Sequence, residues 1–219
     1  MEAIQILRYI HIASGFIALI SGLGPMFSQK GGPIHKKTGM VYFIAMTLVF
    51  FTAIPLSLVQ SNYFLFSVGI FSYYAAFSGF RYSRRKNEKP SLIDHLATGI
   101  TLITGAGMIF LAVQFLYKGS TGMAIILGVF GFIAFMMSFQ DSQKFWLGKT
   151  SKRYKKRDWF FSHIVRMGAS YIAATTAFAV TNLNYWSPIY NWLIPTVIGS
   201  ILISRVSSNY YKKFYSKPS

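Results

Sequence analysis

The residues of this chain best suited to chemistry are its four histidines, and three of them stand at corresponding places. His35, His95 and His163 each fall at or near the start of a long apolar segment, whereas His11 lies inside the first one. Neutral imidazole is the commonest metal ligand, so three imidazoles at one depth are candidates for a shared metal or cofactor site. Arg166 sits about two turns inside an apolar run, where a guanidinium is costly unless it pairs, snorkels or meets an anion. It is expected to act as counter-charge to a haem propionate, a lipid phosphate or a quinone carbonyl. Asp141 closes the fifth apolar run, where the helix dipole disfavours a negative charge. It therefore needs Arg166, a residue of the basic loop that follows, or a metal. Asp94, three residues after Ser91, and Asp158, just before Trp159, have the positions of helix caps.

Helical spacing places small residues in line with the histidines. His11, Gly15, Ala18 and Gly22 form one such stripe. His163, Met167, Ser170 and Ala174 form a second, and His95, Gly99, Leu102 and Ala106 a less complete third. Close packing of a neighbouring helix is the ordinary use of such grooves; a flat macrocycle is the other.

The elements that must hold these residues are membrane helices. The chain has 219 residues, 53% of them hydrophobic and only 12% charged, too oily for an ordinary soluble domain. A bilayer core takes about 20 apolar residues per helix, and helices are predicted at roughly 4–27, 38–60, 62–82, 93–117, 121–142, 160–182 and 188–208. The expected fold is all-α: a single domain over 1–219, an integral membrane bundle of seven transmembrane helices. Of the 22 Lys and Arg residues, 19 lie at alternate connections and at the C-terminal end. Lys and Arg collect on the cytoplasmic side, so the N-terminus is expected outside and the C-terminus in the cytoplasm. Tyr63, Tyr117, Tyr185, Trp186 and Tyr190 would mark the outer interface, and Trp146, Trp159, Tyr210 and Tyr211 the inner one. The net charge of +17 is then a topology signal and not a nucleic-acid surface. With no cysteine, disulfides, iron–sulfur clusters and thiolate-ligated metals are excluded within the chain. The first segment lacks a basic leader and a cleavage site and is read as a retained helix. No His-Glu-x-x-His, phosphate-binding loop or nucleophile elbow is present. Gly31-Gly32-Pro33 reads as the turn that opens the second helix.

Two stretches carry a resemblance. His11-Ile-Ala-Ser-Gly15, Gly24-Pro25-Met26-Phe27 and His35-Lys36-Lys37-Thr38-Gly39-Met40-Val41-Tyr42 form the first, and Ser162-His163-Ile164-Val165-Arg166-Met167 the second. Together they resemble an uncharacterised bacterial family of polytopic membrane proteins, with Lys36 in place of that family's Arg. Ile34-His35-Lys36-Lys37-Thr38-Gly39 is also similar to the start of a helix in the cytochrome b membrane subunit of succinate dehydrogenase. That likeness implies a haem propionate and ubiquinone nearby. The cytochrome b561 group is similar in style, but it pairs two histidines at each face and this chain has one outer histidine.

Three functions remain open on this reading. The first is a haem b protein of the bacterial inner membrane passing electrons to or from quinone or another membrane redox protein. Its preferred axial pair is His95 and His163, with His35 as the spare. The second is a zinc-dependent membrane hydrolase of lipid or amide bonds. It would use His35, His95 and His163 as ligands and Asp141 as base, in a layout that resembles the progestin-receptor and ceramidase superfamily without its paired His-x-x-x-His. The third is a non-catalytic assembly factor or carrier.

Overall fold

The computed structural model of the chain describes residues 2–86, 88–147, 157–183 and 187–215. Among them are seven helices: α1 (Glu2–Phe27), α2 (Pro33–Val59), α3 (Tyr63–Arg85), α4 (Leu92–Tyr117), α5 (Thr121–Leu147), α6 (Asp158–Asn182) and α7 (Pro188–Tyr215). Each is long and apolar enough to cross a membrane. Helices are the expected answer because a backbone in hydrocarbon must satisfy its polar groups within its own segment.

The turns follow from local chemistry. Pro33 occupies the first turn of α2 after extended Gly32, where a missing N–H costs nothing. Between α4 and α5 the chain reverses in three residues. Gly119, at φ +75°, donates its N–H to the Leu116 carbonyl and Ser120 donates to that of Phe115. This paired closure of a helix end calls for a left-handed residue, and glycine takes that conformation without steric cost.

Three helices differ from the sequence expectation by five residues or more. α2 starts at Pro33, which puts His35 inside its first turn. α5 runs on to Leu147 because its last turn has partners: Arg85 lies 4.8 Å from the Phe145 ring, and Lys144 reaches Asp158 at 2.8 Å. α7 runs to Tyr215, held by an aromatic cluster in which the Phe160 ring lies 5.2 Å from Tyr210 and 5.3 Å from Phe214. The basic-loop residues 149 and 152–156, together with Tyr185, Trp186 and Lys217, lie outside the described residues. Tyr63, Tyr117 and Tyr190 stand exposed at helix ends on the side away from the histidine-bearing ends, and Trp146 is exposed on the other.

α3 is the hub and packs against α2, α4, α5 and α6; α1 leans on α2 and α6, and α7 on α6 and α5. At the crossing of α4 and α5 the two backbones themselves come close. A Cβ on Gly105 would lie 2.6 Å from the Phe135 nitrogen, and one on Gly131 would lie 2.8 Å from the Met108 Cβ. Small residues are what let membrane helices come this close. Gly105→Ala should therefore destabilise the protein by about 1–3 kcal/mol. Gly107→Ala, in open space, should be neutral or stabilising by up to about 1 kcal/mol. Reversible unfolding in mixed micelles measures both, and equal effects would show that the crossing does not depend on Gly105.

Two of the three small-residue stripes have partners. Gly22 faces the ring of Tyr171, whose hydroxyl donates to the Leu19 carbonyl at 3.0 Å, so the α1 groove holds a side chain of α6. On α6, Met167 packs with Tyr42, Ala45 and Ala76, and Ser170 shares a 2.7 Å hydrogen bond with Tyr42. The stripe expected on α4 is not its packed face: Gly99 meets nothing within 4 Å and Ala106 is exposed. The buried face is Asp94, Thr98, Thr101, Gly105, Met108 and Ala112.

Candidate functional site

The last carbonyls of a helix have no partner within it. At the end of α1, those of Pro25 and Met26 accept from the Lys30 ammonium at 2.5 and 3.0 Å. The Pro25 carbonyl also lies 3.2 Å from Nδ1 of His35 in the first turn of α2. A carbonyl only accepts, so that imidazole nitrogen carries the proton. In α6, His163 does the same across the bundle, its Nδ1 donating to the Gly79 carbonyl of α3 at 2.8 Å. Gly79 permits this reach, since a Cβ there would lie 2.9 Å from Met167.

The two rings meet edge to face, centroids 6.2 Å apart and inclined at 63°. With Nδ1 protonated on both, each neutral ring keeps a lone pair on Nε2. Metal-ligating histidines are commonly held this way, with the second nitrogen tied to a backbone carbonyl. Lys30 shares the Pro25 carbonyl with His35, and partial burial lowers its ammonium from its ordinary value.

No known family, curated protein or solved structure matches this chain. Its function must be read from the arrangement of its own side chains.

His95 lies elsewhere. Its Nδ1 donates to the Ser91 carbonyl one turn back at 2.9 Å, and its ring rests 5.6 Å from Phe145 and 6.2 Å from Trp146. The structure thus brings His163 together with His35 and not with His95. The described residues hold no group of three or more His, Asp or Glu placed to take a metal ion, so the three-imidazole zinc set is not assembled. His11, toward the other end, sits 2.9 Å from Thr52 Oγ1. That hydroxyl already gives its proton to the Leu48 and Val49 carbonyls, so His11 Nδ1 is the donor.

Arg166 and Asp141 form a separate centre. Their side chains are 2.9 Å apart, with Asp141 wholly buried and Arg166 only 4% exposed. Arg166 also donates to the Met137 carbonyl at 2.8 Å. Asp141 accepts from the Tyr82 hydroxyl at 2.6 Å and the Tyr74 hydroxyl at 2.5 Å, and Tyr74 in turn lies 3.1 Å from Thr98 Oγ1. Three helices therefore meet at one carboxylate, and α4 joins them through Tyr74. Because α5 continues past it, Asp141 is interior to its helix. The partner it needed is Arg166, with both its oxygens engaged, which leaves it poorly placed as a hydrolytic base. Arg166 is correspondingly neutralised and is not a free counter-charge for a propionate. Lys30, which sequence reasoning did not single out, is the cation beside the imidazole pair. Tyr74 and Tyr82 were also missed, because two tyrosines eight residues apart in an aromatic-rich helix carry no distinct signal.

A second ionic cluster closes the same end of α3 and α4. Asp94 accepts from Arg81 Nε and Nη2 at 2.8 Å each, from the Ser91 N–H at 2.8 Å and from the Ser91 hydroxyl at 2.9 Å. Arg85 Nη1 lies 3.0 Å away. The capping role expected for Asp94 is present, reinforced by a bidentate arginine.

Proposed function

We propose that this protein holds one haem b between His35 and His163 and exchanges electrons with a quinone or another membrane redox protein. In this reading it sits in a bacterial cytoplasmic membrane with its basic end inward. The observation that supports the reading is the isolated imidazole pair. Two imidazoles with no third donor among the described residues would suit a haem, which brings the rest of its iron ligands with it. The ring centroids lie 6.2 Å apart, near enough for both imidazoles to hold the same group. The bound group would supply a one-electron couple. The chain supplies the rest: the Pro25 and Gly79 carbonyls fix both tautomers and orient the rings, Lys30 offers positive charge to a carboxylate, and the apolar helices restrict water.

The test is an absorption spectrum and metal analysis of the purified protein. A Soret band with split α features on reduction and about one iron per chain is expected. Colourless, iron-free protein that takes up no added haemin would overturn the proposal. A second reading, a non-catalytic carrier, draws support from a long groove beside α7.

A further inference from the structure

α7 is pinned to α6 at two glycines. A Cβ on Gly168 would lie 2.7 Å from the Ile203 side chain, and one on Gly199 would strike that of Ile172. On its other flank α7 turns small hydroxyl residues toward α5, and α6 contributes Ala169 and Ala173. Small walls do not fill the gap, and a cavity of about 520 Å³ remains between α3, α5, α6 and α7.

The cavity follows α7 from Thr196 to Tyr211, about 22 Å at 1.5 Å per residue. That length accommodates one extended hydrocarbon chain. One end is apolar, with Phe71, Phe130 and Ile133. At the basic end Ser204, Ser207, Ser208 and Tyr211 line it. Ser207 Oγ is buried and has no hydrogen-bond partner, although a buried hydroxyl ordinarily has one. None of the described residues lining the slot is charged.

We propose that this slot binds a single-chain membrane lipid with an uncharged, hydrogen-bonding head, such as a long-chain alcohol, an isoprenoid alcohol or a quinone. The chain runs among the apolar residues and the head accepts from Ser207 near the basic end. A phosphate or carboxylate head would find no cation among the described lining residues. The inference stands independently of the imidazole pair.

The test uses the full chain in phosphatidylcholine nanodiscs with three diazirine probes: hexadecanol, palmitate and phosphatidylcholine. The alcohol probe should label peptides from 165–173 and 196–211 saturably, and unlabelled hexadecanol should compete. Ser207→Ala should weaken that labelling about fivefold, the worth of one neutral hydrogen bond. The same change should leave the melting temperature equal or higher, since an unpartnered buried hydroxyl is removed. Ala169→Phe, filling the slot, should abolish the saturable component. Non-saturable labelling, labelling unchanged in a folded Ala169→Phe protein, or preferential saturable labelling by palmitate or phosphatidylcholine would overturn the proposal. Haem content is read in parallel, so failure here is distinguishable from failure of the redox reading.

Discussion

Asp141→Ala should destabilise the bundle by about 3–5 kcal/mol, because it leaves the Arg166 guanidinium buried without its counter-ion. The geometry sets the size of the effect. Arg166 keeps only the Met137 carbonyl as a hydrogen-bond acceptor, and its Nη1 already lacks one. A charge in that state cannot reach water without opening the helix packing around it. Adding Arg166→Met should recover most of the loss, since exchanging a buried ion pair for apolar groups of similar volume is often neutral. Recovery should remain incomplete by roughly 1–3 kcal/mol, because Tyr82 loses its carboxylate acceptor. Tyr74 is the lesser problem, having Thr98 beside it. Reversible unfolding of the two single variants and the double variant in mixed micelles gives the coupling directly. Additive losses, with the double variant worse than either single one, would show that the two charges do not act as a pair.

His35→Ala and His163→Ala should each lower haem affinity by more than about 100-fold, beyond the 10–100-fold typical of lesions one shell further out. His95→Ala should leave it unchanged, because that ring is engaged with its own helix and with Phe145 and Trp146. The contrast is informative because all three residues lie within the first two turns of their helices at one end of the bundle. Added imidazole should restore the red-shifted Soret band in each alanine variant by entering the space left by the lost ring, which a merely unfolded protein would not do. Haem retained in the first two variants, or lost in the third, would reject the assigned pair. Gly79→Ala offers a finer probe. The added methyl would press on Met167 and displace the carbonyl that orients His163.

The candidate site was legible in part. Asp141 could be marked as needing a partner because a lone carboxylate in an apolar run is costly wherever the chain turns, and Arg166 was a natural choice on the same ground. Asp94 could be assigned a capping role because its partner lies three residues away. The imidazole pairing was not legible. His35, His95 and His163 are equivalent in type, depth and helix position, and nothing in one dimension distinguishes three such residues. Lys30 escaped notice because its role depends on where the end of α1 leaves unpaired carbonyls.

The sequence alone determined the all-helical character, the number of apolar segments able to span a membrane, and the gathering of basic residues at alternate connections. These are requirements each segment meets by itself, since every stretch of backbone in hydrocarbon must be satisfied within its own helix. Tertiary structure decided which faces meet. The rotation of each helix about its axis is set by close approaches at Gly105, Gly131, Gly79 and Gly22. A turn of one residue, about 100°, would point His163 away from α3 and uncouple Arg166 from Asp141. Such angles arise from van der Waals contact between distant parts of the chain, and no local pattern encodes them.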